Sequence, residues 1–109
     1  MSTEEKQSRY AVEVELEEDV TVHTSSKGTK YVKVKARTAG GVHLYILTFN
    51  PTYITLLQGL VEGSTLRLTG AEIADDPYEE GKLDLILTPT TTITIVQRIT
   101  RVRPGTKLI

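Results

Sequence analysis

Residues 27–49 read KGTKYVKVKARTAGGVHLYILTF. From Lys30 on, Val32, Val34 and Ala36 alternate with Tyr31, Lys33, Lys35 and Arg37, the period of two that marks a strand with one buried face. Ala39-Gly40-Gly41 supplies a tight hairpin, because glycine accepts the positive φ that such turns require. The following VHLYILTF is apolar on both faces and is predicted to be a central strand. Two registers remain open. A three-residue loop places Arg37 opposite His43, Lys35 opposite Tyr45, Lys33 opposite Leu47 and Tyr31 opposite Phe49. A two-residue loop at Gly40-Gly41 flips the second strand and buries Tyr45.

Outward from this hairpin the period stays mostly two. Upstream, YAVEVELEE sets Tyr10, Val12, Val14 and Leu16 against Ala11, Glu13, Glu15 and Glu17, and DVTVH (19–23) is expected to continue that strand past a bend. Downstream, NPTYITLLQG breaks the pattern. Asn50 is a good N-cap, Pro51 suits the first helical position, and Gly59 can close the end. Tyr53, Leu56, Leu57 and Leu60 recur at helical spacing, which predicts a short helix with Tyr53 as an apolar plug. VEGSTLRLTGAEI then reads as a turn and a fourth strand, and ADDPYEEG as an acidic loop. KLDLILT is a fifth strand interrupted by Pro89, with TTITIV resuming it or forming a sixth.

Three strands, a helix and two more strands is the element order of an all-β, five-stranded Greek-key barrel with one short helix between strands 3 and 4, the OB fold. Residues 10–97 are expected to form that one domain. Residues 1–9 are expected to be a flexible segment and 98–109 a basic tail.

Composition narrows the function. The chain has 109 residues, 39% hydrophobic and 25% charged, with a net charge of −1, as expected of an ordinary folded domain. No run approaches the roughly 18 apolar residues of a membrane span, and the start lacks the layout of a signal peptide. The expected location is therefore cytoplasmic, with nucleoid or nuclear association left open as an alternative. Charge is blocked along the chain. Residues 21–50 carry five bases and no acid, residues 51–97 carry seven acids and two bases, and from residue 98 on there are four bases and no acid. A nearly neutral chain can thus present a basic surface to an anionic polymer.

Catalytic signatures are missing from the sequence. His23 and His43 have no metal-site spacing, and there is no cysteine to join them. The glycines match neither the P-loop nor the dinucleotide pattern. Ser64 is not in a hydrolase elbow, and DDPYEEG lacks the EF-hand spacing. No enzyme activity, metal or cofactor is expected.

The run KGTKYVKVKARTAGGVHLYILTF resembles strands two and three of the single-stranded-DNA-binding OB families, of the SSB and replication protein A type. NPTYITLLQGLVEGSTLRLTGAEI is similar to their plugging helix and glycine-bounded fourth strand, so the likeness covers about residues 10–97. It implies a strand of nucleic acid, DNA before RNA, lying across Lys27, Lys30, Tyr31, Lys33, Lys35, Arg37, His43, Tyr45 and Phe49. Bases neutralise phosphates there while aromatic rings stack on unpaired bases. Tyr78 is set aside, because the acids around it repel phosphate. The alternative is an OB domain serving as a protein-interaction subunit, with the acidic first strand, an exposed strand edge or the basic tail as its contact. OB folds host both functions.

Overall fold

The computed structural model describes residues 11–99. The expected terminal segments, together with Tyr10, lie outside the described residues, apart from Arg98 and Ile99. Eight strands and one helix follow in order: β1 (Ala11–Leu16), β2 (Val22–Thr24), β3 (Lys30–Thr38), β4 (His43–Thr48), α1 (Pro51–Leu57), β5 (Thr65–Thr69), β6 (Glu72–Asp75), β7 (Leu83–Ile86) and β8 (Thr92–Gln97). No helix among the described residues is long and apolar enough to cross a membrane.

The eight strands are five strands with three of them bent. β1 and β2 both pair antiparallel with β3, and the pairing slips by two residues between the two arms. The stretch from Glu17 to Thr21 bulges out there, as the expected bend does. β5 and β6 are separated by Gly70, whose φ of 86° lies in the left-handed region. β7 and β8 are separated by a turn in which the Thr91 amide donates to the Thr88 carbonyl at 2.9 Å. Pro89 sits inside that turn, where its missing N–H breaks no ladder.

The hydrogen-bonded path runs β6-β7-β4-β3-β1-β5-β8 and is not closed by a ladder. All pairings are antiparallel except β4 with β7, which run parallel. The sheet must curl. Laid flat, five strand spacings would hold β7 and β8 about 24 Å apart, whereas the chain from Ile86 to Thr92 spans at most about 20 Å and is shortened further by its turn. Curling encloses Val14, Leu16, Val32, Val34, Ile46, Leu66, Leu68 and Leu85, all at most 1% exposed.

Helix α1 plugs one end of the barrel. The Asn50 side chain accepts from the Thr52 amide at 2.8 Å, Pro51 occupies the first turn, and Gly59 follows the helix at a φ of 91°. The buried face is Tyr53, Ile54 and Leu57. Leu56, expected inside, is exposed: at 100° per residue it falls about 100° round from the centre of that face. The Tyr53 hydroxyl donates to the Thr91 carbonyl at 2.6 Å, tying the helix to the break in the fifth strand.

Candidate nucleic-acid interface

The hairpin loop holds three residues, Ala39 to Gly41. The Thr38 amide donates to the Val42 carbonyl at 2.9 Å, and Gly41 turns the chain at a φ of 89°. The register therefore pairs Arg37 with His43, Lys35 with Tyr45 and Lys33 with Leu47. Val32, Val34 and Ala36 face the core, which leaves Tyr31, Lys33, Lys35 and Arg37 on the outer face with His43, Tyr45 and Leu47. The two-residue register, with Tyr45 in the core, does not occur.

That outer face is not the uninterrupted basic and aromatic platform expected from the sequence. It divides into an open end and a covered end. At the open end, beside β2, three rings lie side by side. His23 to Tyr31 and Tyr31 to Phe49 are each 5.3 Å between centroids, tilted by 31° and 30°. Phe49 is 53% exposed although it is a large apolar side chain. Lys30, one residue before Tyr31 and so on the opposite face of β3, has its Nζ 3.3 Å from Thr24 Oγ1 and lines a groove against Phe49. Lys27 is exposed in the turn between β2 and β3, which Ser25 holds by accepting the Lys27 and Thr29 amides at 3.3 and 3.1 Å.

Two depressions flank Phe49. One, of about 540 Å³, is walled by Tyr31, Leu47 and Phe49, with Ser25 on one side, Pro77 and Tyr78 on another, and Lys33 and Asp84 also lining it. The other, of about 500 Å³, lies between Phe49, Val22, Lys30 and the helix residues Pro51 and Ile54. Phe49 is thus a ridge between two grooves, and Lys30 borders the second.

The covered half is occupied by acids. Asp76 Oδ2 pairs with Lys33 Nζ at 2.7 Å, and the Tyr45 hydroxyl donates to Glu79 Oε2. Lys33 Nζ lies between the rings of Tyr45 and Tyr78, 4.7 and 5.1 Å from their centroids, in cation–π range. Farther along, Arg37 meets Glu15 at 3.4 Å and His43 Nδ1 meets Glu17 at 3.1 Å. The backbone amide of Lys35 donates to Glu18 Oε2 at 2.9 Å, while its side chain is exposed. Tyr45 is 7% exposed on an outward-facing position; loop 76–82 covers it, not the core.

The acids also set the protonation of this half. The hydrogen bond from Lys33 holds Asp76 well below the usual carboxylate range, against its burial and with help from the Tyr78 and Glu79 amides. Burial works against the Lys33 charge, but the bond to Asp76 and the fields of Asp76, Asp84 and Glu79 outweigh it and raise its pKa. Asp84, on β7, is pushed up to about 6, first by burial and then by a hydrogen bond with Asp76. Asp84 Oδ1 and Asp76 Oδ2 are both buried, Oδ2 against the Lys33 ammonium, and below about pH 6 the Asp84 proton joins the two carboxyls. The bond to Glu79, with burial adding to it, pushes the Tyr45 hydroxyl up to about 12.

Of the residues singled out from the sequence, Lys27, Lys30, Tyr31 and Phe49 gather at the open end, and Lys33 borders it. Arg37, His43 and Tyr45 are paired with acids, and Lys35 lies beyond them. Two contributors were missed, and Tyr78, set aside for its acidic neighbours, lies over Lys33. His23 had a readable signal, since the alternation of DVTVH and a turn at 25–29 bring it opposite Tyr31. Asp84 had none, because its place depends on how the fourth and fifth strands bend.

Three ordered strands, a plugging helix and two bent strands, with a cleft over the second and third, define an OB fold, as the sequence implied. Solved structures show the same fold. The chain is similar to crystal structures of Rim1, a mitochondrial single-stranded DNA binding protein from S. cerevisiae. One has a TM-score of 0.63 and 18% identity over 82% of this chain and 93% of the other. A second has a TM-score of 0.61 and 20% identity over 85% and 97%. A murine DNA binding protein, bound with double-stranded DNA in its structure, is similar at a TM-score of 0.52 and 6% identity, over 85% of this chain and 43% of that one. No protein-family model and no curated protein matches the sequence.

Proposed function

We propose that this chain is a non-catalytic module that binds single-stranded nucleic acid, DNA before RNA, at the open end of the β3/β4 face. The observation that carries this reading is the ring group His23–Tyr31–Phe49, with Phe49 exposed between two grooves, Lys30 lining one of them and Lys27 exposed in the adjoining β2–β3 turn. Unpaired bases have faces to stack on the rings, and the lysines stand within reach of the backbone that joins those bases. A duplex keeps its base faces buried and gains only the charge term. The preference for DNA is supported by the single-stranded DNA ligand named for Rim1.

Charge accounting makes the reading testable. With Lys33 and Arg37 paired to acids, about two or three of the five bases remain to displace counterions, for a slope of log affinity against log salt of about −1.4 to −2.1. Use of all five bases of residues 21–50 would give about −3.5. Fluorescence anisotropy with a labelled thymidine oligonucleotide of about 20 nucleotides, from about 20 to 200 mM salt beside a duplex of equal length, measures this. Preference for the single strand with the shallower slope supports the open-end site. Absence of binding at the lowest salt overturns it and favours the protein-interaction alternative, to which the acid-covered half of the face is suited.

A further inference from the structure

Loop 76–82 joins β6 to β7 and lies on the same face that the proposed ligand crosses. Its turn is built internally. Asp76 Oδ1 accepts the Tyr78 and Glu79 amides at 2.8 Å each, and the Asp76 amide donates to the Lys82 carbonyl at 2.9 Å. Its side chains reach across to two residues of the sheet, Lys33 and Tyr45. To Lys33 it offers the Asp76 carboxylate and the Tyr78 ring; to Tyr45 it offers the Glu79 carboxylate. Those are the three things a nucleotide would bring: an anion for the ammonium, an acceptor for the phenol and a flat ring for the cation.

We propose that loop 76–82 is a built-in competitor of the nucleic-acid strand, occupying Lys33 and Tyr45 as a pseudo-ligand and so limiting both affinity and footprint. This rests on the single-strand reading above. Asp76 adjoins the end of β6, whose Asp75 pairs with Leu83, and therefore stays in place. Glu79 is exposed at the tip and is the member a strand can displace. When the strand wins, a phosphate replaces Glu79 near Lys33 and Tyr45, and the footprint grows from the open end into the middle of the face.

The test compares Glu79→Gln with Glu80→Gln. Both remove one negative charge from the same loop, but Glu79 touches the sheet, whereas Glu80 is exposed beside it. Glutamine keeps an acceptor for Tyr45, so the fold is expected to persist, and a thermal melt checks it. With the same thymidine oligonucleotide, E79Q is expected to bind about 3- to 10-fold more tightly than the parent chain, with a steeper salt slope. E80Q is expected to change affinity by less than about 2-fold, the effect of a distant screened charge. Equal effects of the two variants, or no gain in E79Q, overturn the competitor. Absence of binding by the parent and both variants at low salt overturns the single-strand reading instead, and the competitor with it.

Discussion

Replacing Asp84 by asparagine should stabilise this domain at neutral pH and do nothing for it once the pH falls below about 3.5. Asp84 is 2% exposed, stands opposite Tyr45 in the parallel ladder and, when protonated, hydrogen-bonds Asp76. Its carboxyl sits at about 6 in the folded chain against an ordinary 3.8. A carboxyl whose folded pKa is raised binds more protons folded than unfolded between those values. Its contribution to stability is therefore complete below 3.8 and is lost as pH rises through about 6. At about 1.4 kcal/mol per decade of proton affinity, the loss approaches ~3 kcal/mol in full. The asparagine side chain would donate an amide hydrogen to Asp76 where the Asp84 proton stood, and would carry no charge to lose. The groups facing it work at other pH values: Asp76, with its lowered pKa, surrenders its contribution only below 3.8, and Lys33 stays charged throughout. The gap between D84N and the parent should thus be near zero at about pH 3.5, open from there upward, and reach about 1–3 kcal/mol by pH 8, or about 5–15 °C in Tm for a domain of this size. Thermal melts by circular dichroism across that range measure it. A variant less stable than the parent at pH 8, or a gap that does not change with pH, refutes the assignment of that proton to Asp84.

Two further outcomes follow from the open end. Phe49→Ala should leave Tm almost unchanged, since the ring is 53% exposed, yet weaken single-strand binding by about 5- to 150-fold, the loss of one stacking partner; anisotropy beside a melt separates the two effects. Charge reversal of Lys27 and Lys30 together should flatten the salt slope by about 1.4. The same reversal at Arg67, on β5 and opposite Glu13, should leave the slope unchanged, and a shift at Arg67 would show that net charge alone governs binding.

Much of the fold was legible because alternation and turn chemistry are local properties. Val32, Val34 and Ala36 are separated from the charged residues by strict alternation, and the core took them as that pattern requires. Asn50, Pro51 and Gly59 bracket α1 through backbone groups they contact directly. The expected five strands hold once bends are counted; two of the three bends fall at Pro89 and Gly70, residues that interrupt ladders for steric reasons, and the first falls at the acidic Glu17 to Asp19. The C-terminal half of the outer face could not be read in the same way. Lys33 and Asp76 are 43 residues apart, and no periodicity links them. The acidity of ADDPYEEG was visible, but only as a reason to discount Tyr78 as a contact to phosphate-bearing ligands. Its docking onto that surface follows from the short link between β6 and β7 and from their place beside β4.

The sequence by itself determined which residues go inward, where the chain turns and where the helix starts and stops. Each of these is settled by neighbours within a few residues. The hairpin register, the division of the outer face into an aromatic end and an acid-covered end, and the carboxyl pair beneath Lys33 were decided by tertiary structure. They depend on which distant strands become neighbours when the sheet curls. Electrostatic energies depend on that through-space distance and on burial, neither of which separation along the chain records.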